Sequence, residues 1–403
     1  MLKNLLTLCL VLCSFGAFAD TYEYSDNGSG EWDDNDNWDH YSGGVFQGNT
    51  SPGTSITAGD EVYIWDDVEI NFVGSQLTVN GTLYMDGGSI VNSGSKTLRI
   101  NNGGTVEFTS TGAITVGRIR VYAGGELNIP NGATVSATGS TNVLRGNVTV
   151  NGNLNLTSSA STSSDLNLVI GSLGNVNFDG NFANSGSVTN SGDITAASAF
   201  SKSGTLTSTA SSSSITFDGS STQTVGGITA YRIVVNNSND VSLTGDVTLA
   251  TSGSLVFSSG DIITNSNQVT LGTGASVTGE TSSGYVKGQL QASESVISSS
   301  TYTFGGSGVS LAISGGSTNA GTVTMNRFTG NAAAGGGSTG LQRYADFDAT
   351  SSAYTTAEIS LNYYDSELNG ISPESDMKGF STASSNNETD GTASWNGVTE
   401  TVN

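Results

Sequence analysis

The stretch that decides the fold runs from residue 97 to residue 129 and reads TLRINNGGTVEFTSTGAITVGRIRVYAGGELNI. It contains apolar pairs, each with one polar residue between its members, that belong to a series repeated every 21 positions. The series comprises Leu77 and Val79, Leu98 and Ile100, and Ile119 and Val121. Each pair places two side chains on one face of a strand. A fixed period in the twenties is typical of a solenoid in which each repeat is one coil.

A second series, offset from the first, has the same step of 21 and comprises Val106 and Phe108, Leu127 and Ile129, and Val148 and Val150. Farther along the step is 22, where Ile233 and Val235 return as Leu255 and Phe257, and Val225 returns as Val247 and Val269. Because the repeats are short and rich in Val, Ile, Thr and Asn, strands are favoured over helices. The sequence therefore predicts an all-β fold, a right-handed parallel β-helix.

The charge balance excludes some partners. The chain has 35 acidic and 12 basic residues, a formal net charge of −23. Such a surface repels nucleic acid and anionic lipid, so we expect neither as a partner. An acidic surface keeps a secreted protein soluble and leaves room for divalent cations.

The first 19 residues have the features of a secretory signal peptide. Lys3 precedes an apolar run from residue 5 to residue 15, and Ala17-Phe18-Ala19 matches a small-x-small cleavage site. Both cysteines, Cys9 and Cys13, lie inside this stretch. We expect a secreted protein, extracellular or at the cell surface, with no transmembrane segment and no disulfide after cleavage.

Three further regions follow from changes in composition. Residues 20–60 contain Trp32 and Trp38 and are predicted to be an aromatic N-terminal cap that closes the open end of the solenoid. Residues 61–331 carry the coils of the parallel β-helix. After the Gly-rich segment 332–340, residues 341–403 are predicted to form a small β-sandwich-like domain, which ends without an obvious closing strand.

Four polar residues in the cap alternate in the manner of oxygen ligands for calcium: Asp33, Asn35, Asn37 and Asp39. The central glycine and the closing glutamate of a calcium-binding loop are missing, so a solvated turn remains the alternative. No other cofactor is expected.

Three other side chains were candidates for chemistry or binding. His40 is the only histidine, and because zinc or acid-base chemistry would rest on it alone, we expect a surface residue. Arg99 and Arg120 lie between inward pairs and are predicted to point outward from neighbouring coils. Two stacked guanidinium groups repel each other unless an anion or carboxylate bridges them. They therefore either bind an acidic glycan or partner, or pair with carboxylates of the same face.

Several motifs resemble those of one group of proteins. They are Gly30-Glu31-Trp32, Asn37-Trp38, Gly59-Asp60-Glu61-Val62-Tyr63-Ile64, Phe217-Asp218-Gly219 with Gln223-Thr224-Val225, the segment 231–237, Gly284-Tyr285-Val286-Lys287-Gly288, and Arg343-Tyr344 with the segment 363–370. Together they resemble the secreted parallel β-helix surface and adhesin-like proteins of bacteria with a type IX secretion system. The resemblance implies surface, adhesion or matrix material, without catalytic residues common to the group.

The chain departs from that group at its C-terminal side, where the β-domain stops early and no sorting domain follows. Either the sequence is a fragment, or a strand from another copy completes the domain by β-strand addition.

These observations predict a non-enzymatic extracellular structural or adhesive protein that self-associates, with a filament or matrix subunit joined through the C-terminal β-domain as the specific form. The alternative is a β-helix that binds carbohydrate or degrades polysaccharide. Enzymes of that kind need a carboxylate cluster with basic residues on one groove. Charged residues make up only 12% of the chain, and no such cluster stands out.

Overall fold

The structure is a computed structural model that describes residues 19–24, 31–65, 69–72, 74–91, 95–109, 111–315, 319–330, 342–351 and 356–367. The predicted signal peptide lies outside these residues except for Ala19. The chain divides into two compact units. The first ends at Phe178 and includes Ser185–Val188, and the second comprises Asp179–Asn184 and the chain from Thr189 onward. Strand Ser187–Asn190 contains residues of both units.

The predicted fold class is confirmed. The described residues are almost entirely strands and turns, and parallel strands stack into a β-solenoid of about 11 turns. The helices in this part of the chain are two one-turn 3₁₀ segments, Asn35–Asn37 and Asp365–Glu367, and neither is long enough to cross a membrane. Strands form because apolar and polar residues alternate with period two, so that apolar side chains point into the coil.

Each coil of the first unit contributes one strand to each of three stacks of parallel strands. Stack 1 comprises Ser55–Ile56, Gln76–Val79, Thr97–Ile100, Arg118–Val121, Asn142–Leu144 and Ala160–Thr162. Stack 2 comprises Asp20–Tyr24, Glu61–Ile64, Thr82–Met85, Thr105–Phe108, Glu126–Ile129, Asn147–Val150 and Asn167–Ile170. Stack 3 comprises Glu69–Ile70, Ser89–Val91, Gly112–Val116, Ala133–Ala137, Asn153–Leu156 and Asn175–Phe178.

The members of the two predicted series of apolar pairs are in register on neighbouring coils, as the 21-residue repeat predicts. In stack 1, Leu98 is in register with Leu77 on one side and with Ile119 on the other. In stack 2, Leu127 is in register with Val106 and with Val148 in the same way. All of these side chains are buried. The core of the unit is therefore made of columns of stacked aliphatic residues, which burial stabilises at about 1.5–3 kcal/mol each.

A column of glycines marks the corner that precedes four successive strands of stack 2: Gly81, Gly104, Gly125 and Gly146. A Cβ atom added at Gly104 would lie 2.1 Å from the backbone oxygen of Val79, on the coil below. At Gly146 the corresponding distance to the backbone oxygen of Gly125 is 2.4 Å. Any side chain at these corners would force neighbouring coils apart, so the close stacking requires glycine.

The N-terminal cap is an antiparallel sheet built on the first strand of stack 2. Asp20–Tyr24 pairs with Trp38–Ser42, which pairs with Val45–Asn49. Trp32 and Trp38 are fully buried, with ring centroids 4.9 Å apart in an edge-on arrangement, and the Trp38 indole donates to the Trp32 backbone oxygen over 2.8 Å. The predicted aromatic cap is confirmed.

The second unit continues with solenoid strands: Phe182–Asn184, Asp193–Ala196, Phe200–Lys202, Thr205–Thr207, Ser214–Phe217, Gln223–Val225, Ile228–Asn236, Val241–Leu243, Val247–Ser259, Ile262–Leu271 and Ser276–Thr278. Ile233 is in register with Leu255, as predicted.

The predicted step from Val225 to Val247 is wrong. Val225 is in register with Leu243, and Val247 with Ile228. The coil after Val225 is shorter than the 22-residue period, and the long strand Ile228–Asn236 contains register shifts after Ala230 and Val235. The fixed step therefore fails where a bulged strand absorbs residues.

The second unit changes from parallel to antiparallel pairing at Val286–Val296. This strand is parallel to Ile262–Leu271 and antiparallel to Gly321–Thr329, which in turn pairs with Arg343–Ala349. A separate antiparallel sheet comprises Thr301–Thr303, Val309–Ser314 and Thr356–Leu361.

The change comes earlier in the chain than residue 331, where the sequence placed the end of the β-helix. Alternation of polar and apolar residues is the same in parallel and antiparallel strands, so the pattern carries no information on strand direction. Of the predicted C-terminal domain, 341–403, the described part is 342–351 and 356–367.

Candidate binding surface of the first unit

Stack 1 presents a cluster of cationic side chains, which we call the basic face: Lys96, Arg99, Arg118, Arg120 and Arg145, together with Tyr122. These are five of the twelve basic residues of the chain. Arg99 is in register with Arg120 on the next coil, as the sequence predicted. The backbone of Arg145 donates to Val121, which places Arg145 one coil beyond Tyr122.

The basic face has no acidic partner within the part of the chain that the structure describes. The strands of stack 1 contain no Asp or Glu, and none of the four ion pairs found among the described residues includes a residue of this face. The prediction left two alternatives for Arg99 and Arg120. Pairing with carboxylates of the same face does not occur there.

The guanidinium groups of this face are partly anchored and partly unsatisfied. Arg99 Nε donates to Asn101 Oδ1 over 2.8 Å, and its Cζ lies 4.7 Å from the centre of the Tyr122 ring. The Nε atoms of Arg118, Arg120 and Arg145 are buried and make no hydrogen bond to any described residue. An unsatisfied buried donor costs about 1–3 kcal/mol. With coils about 4.8 Å apart, the positive charges also repel one another, so an anion at this surface is stabilised.

Stack 2 of the same unit has the opposite charge. Its strands contain no Lys or Arg. Its outward side chains form what we call the acidic face: Glu23, Glu61, Glu107 and Glu126, together with Tyr63 and Tyr84. Glu23, Tyr63, Tyr84 and Glu107 follow one another in register on successive strands.

The two tyrosines form a ladder between these carboxylates. Their rings stack with centroids 4.6 Å apart, and the Tyr63 hydroxyl donates to Glu61 Oε2 over 3.1 Å. Burial, the hydrogen bond to Glu61 and the surrounding negative charge raise the pKa of Tyr63 to about 12. Burial, followed by the charges of Glu61 and Glu107, also raises the pKa of Tyr84. Both phenols are therefore neutral near pH 7, and the charge of this face comes from its carboxylates.

The predicted calcium ligands lie in different local environments. Asn35 and Asn37 are in a one-turn 3₁₀ segment, and Asp39 is on the following strand. Asn35 is exposed and its Oδ1 accepts from the Ser51 backbone. Asn37 is buried, and its side-chain amide donates to the backbone oxygen of Glu31 over 2.8 Å. Asp33 is exposed. Among the described residues no group of three or more His, Cys, Asp or Glu side chains is placed to hold a metal. Calcium binding here stays a prediction.

His40 is not the free surface residue that the sequence suggested. Its side chain is 17% exposed, its ring stacks on Tyr22 with centroids 4.6 Å apart, and its Nε2 lies 3.4 Å from Asp20 Oδ2. The antiparallel pairing of Asp20–Tyr24 with Trp38–Ser42 brings these residues together. His40 therefore helps to pack the cap.

Two buried ion pairs of the second unit were missed by the sequence analysis. Arg327 is fully buried and makes a bidentate pair with Glu280, with both N–O distances 2.7 Å. Arg343 pairs with Glu367 over 2.9 Å and lies 4.9 Å from the centre of the Tyr364 ring. The spacing of these residues does not predict the contacts. Antiparallel pairing of Val286–Val296 with Gly321–Thr329 brings Glu280 near Arg327, and Glu367 reaches Arg343 from the 3₁₀ segment Asp365–Glu367.

Two depressions in the second unit have volumes of about 250 and 360 Å³. Both are lined mainly by Ser, Thr and Gly and contain no titratable side chain. Neither lining includes an acid or base that could activate its Ser and Thr hydroxyls. No protein family, no curated protein and no solved structure matches this chain. The candidate site is therefore the basic face, which geometry and charge alone define.

Proposed function

We propose that this protein is a non-enzymatic extracellular protein with a structural or adhesive role, and that its basic face is the surface through which it contacts a polyanionic partner. The observation that carries the proposal is a cluster of arginines that have no acidic partner among the described residues, on a chain whose formal net charge is −23. Positive charges stacked on adjacent coils repel one another, and binding of an anionic partner offsets that cost.

The arrangement favours a ligand with several charges over a single small ion. Arg99 and Arg120 are one coil apart, and Arg118 and Arg145 extend the positive surface sideways and along the stack. Arginine forks bind carboxylate, sulfate and phosphate groups in a planar, bidentate manner. The Debye length is about 8 Å at physiological salt, so this face acts at contact range, and the acidic residues elsewhere on the molecule are largely screened from a ligand bound there.

Secretion, attachment at the cell surface and assembly through the C-terminal β-domain belong to the same proposal and rest on the sequence. The resemblance to surface and adhesin-like β-helix proteins of type IX-secreting bacteria supports the adhesive role. The carbohydrate-binding alternative is compatible with the same surface, because an acidic polysaccharide is a polyanion. The polysaccharide-degrading alternative has less support, since the strands of the basic face contribute no carboxylate for acid-base chemistry.

The test is retention of the purified protein, without residues 1–19, on polygalacturonate beads and dextran sulfate beads, with neutral dextran as reference. We expect retention on both anionic supports and at least tenfold weaker binding for the double variant Arg99→Glu and Arg120→Glu. The matched control is the double variant Lys202→Glu and Arg232→Glu. It changes the net charge by the same amount on the second unit. Equal losses for both variants would reduce the effect to net charge and overturn the proposal.

A further inference from the structure

We infer that the polyanionic partner of the basic face is the acidic face of a second copy of this chain. The inference rests on the proposed function, because it names the partner for the same surface. The first unit carries both faces. The strands of the basic face contain Arg and no Asp or Glu, and the strands of the acidic face contain Glu and no Lys or Arg. No ion pair found among the described residues involves either face, so both sets of charges are available to a partner.

The two faces carry opposite charges on the same coils. Arg99 and Arg120 are in register on two successive strands of stack 1. Glu107 follows Arg99 on the next strand along the chain, and Glu126 follows Arg120 in the same way. Both glutamates belong to stack 2, where they are two residues out of register with each other. Opposite charges therefore occur on the same two coils, about 4.8 Å apart along the stack, with the arginines in one column and the glutamates diagonal to each other. Two copies with parallel coil axes therefore bring opposite charges of both coils to the same contact.

Side-chain chemistry also favours contact between these faces. Arginine is weakly hydrated and packs on aromatic rings, and the acidic face offers the Tyr63 and Tyr84 ladder beside its carboxylates. The basic face already contains one such contact, between Arg99 and Tyr122. Tyrosine and arginine are both enriched in protein interfaces.

The pairing is heterologous, because two basic faces or two acidic faces repel each other. A copy bound through its basic face still has a free acidic face, and the partner, bound through its acidic face, still has a free basic face. Contacts of this kind continue to add copies unless the rotation between them closes a ring. Each copy therefore presents both surfaces that the contact needs, and this arrangement suits the subunit of an extended assembly.

The experiment compares four forms of the full chain without residues 1–19 by sedimentation velocity over a range of concentrations. They are the native sequence, a basic-reversed variant (R99E with R120E), an acidic-reversed variant (E107K with E126K), and the quadruple variant that combines both pairs. Circular dichroism checks that each form is folded. The quadruple variant has the same formal net charge as the native chain, so it separates complementarity from total charge.

We expect the native chain to form species larger than a dimer as concentration rises, and each double variant alone to remain monomeric. An equimolar mixture of the two double variants is expected to associate, because the acidic face of the first meets the basic face of the second. The quadruple variant, with its charges exchanged, is expected to associate as well.

Two outcomes would overturn the inference: a native chain that stays monomeric throughout, or a folded quadruple variant and a mixture that both fail to associate. Bead binding separates this result from the proposed function. The acidic-reversed variant and the native chain could bind polygalacturonate equally while neither associates. In that case the basic face binds a foreign polyanion, and the inference is wrong while the proposed function stands. If reversal of the basic face leaves bead binding intact, the proposed function falls.

Discussion

Among single residues, Arg120 shows most clearly the conflict between stability and binding. It faces Arg99 on the neighbouring coil and its Nε lacks a partner among the described residues. Like charges directly opposite each other in a sheet destabilise it by up to about 1 kcal/mol. A residue selected for folding alone would be polar and uncharged at this position, as Thr78 is in the same column.

The substitution Arg120→Gln should therefore separate the two properties. We expect the free energy of unfolding to stay the same or rise by up to about 1 kcal/mol, because one repulsive pair is removed. Binding to polygalacturonate should weaken. Urea unfolding and bead retention measure the two quantities on the same preparation. A loss of stability together with a loss of binding would mean that Arg120 serves the fold.

Gly104 gives a prediction about packing at the corners. An added Cβ would lie 2.1 Å from the Val79 oxygen, so Gly104→Ala forces two coils apart and should lower the free energy of unfolding by about 1–3 kcal/mol. The neighbouring Gly103 has a φ of +79° with nothing within 4 Å of its Cβ position. Asparagine tolerates this backbone conformation, so Gly103→Asn is the control and should cost less. Equal costs would contradict the steric explanation.

The sequence predicted part of the basic face and missed the rest for a definable reason. Arg99 and Arg120 are 21 positions apart, so the repeat brought them together. Arg118 could have been added, since it is two residues before Arg120 and therefore on the same side of the strand. Arg145 could not, because it follows Tyr122 by 23 positions and breaks the fixed step.

At the scale of strands and sheets, the ion pairs of the second unit hold the antiparallel strands near Val286–Val296. Arg327 lies on Gly321–Thr329 and Glu280 precedes Val286–Val296. Burial alone would raise the pKa of Glu280, but the charge of Arg327 and the bidentate hydrogen bonds outweigh it and hold the pKa below the ordinary range. Because both groups are desolvated, removal of one partner lowers the free energy of unfolding more than replacement of both partners by apolar residues.

Removal of one partner should show this asymmetry. We expect Glu280→Gln to lower the free energy of unfolding by about 3–5 kcal/mol, since it leaves the Arg327 charge buried without a counterion. The double variant Glu280→Leu and Arg327→Met should recover most of the loss, because an apolar pair needs no compensation. Urea unfolding of the three proteins measures both effects. A double variant as unstable as the single one would contradict this account.

The same pair predicts how the second unit responds to acid. A carboxylate with a depressed pKa contributes stability that is fully present above its unfolded value, about pH 4.3, and is lost as the pH falls through the folded value. We therefore expect the native chain to lose stability below about pH 4.3 more steeply than the Glu280→Leu, Arg327→Met variant does. Melting temperatures measured between pH 7 and pH 3 test this. Parallel curves would show that other carboxylates dominate.

The strands themselves were the most predictable elements, and their directions the least. The β-rich character predicted for residues 341–403 agrees with the two strands described there, Arg343–Ala349 and Thr356–Leu361. Their antiparallel partners, Gly321–Thr329 and Val309–Ser314, lie in the region assigned to parallel coils. Direction depends on turns such as Gly305-Gly306, where both φ values are positive and the chain reverses. A repeat found upstream does not reveal such a reversal.

For the whole molecule, the proposed assembly depends on electrostatics at short range. Raising NaCl from 0.15 M to 1 M shortens the Debye length from about 8 Å to about 3 Å. We expect the association of the native chain to weaken at least tenfold over this range, while the far-ultraviolet circular dichroism stays unchanged because the core is apolar. Association that strengthens with salt would indicate an apolar contact, for which Val45 and Phe46, 62% and 52% exposed, are the candidates.

The glycine corners before the strands of stack 2 have a consequence for how such a chain changes in length. Each corner lies against the backbone of the coil below, so an insertion of a few residues there separates the coils and shifts every column beyond it. Duplication or deletion of one complete coil leaves each corner, column and charge in place. The molecule therefore gains or loses length in integral steps. Each step at a coil that carries both Arg and Glu adds one more positive row and one more negative row.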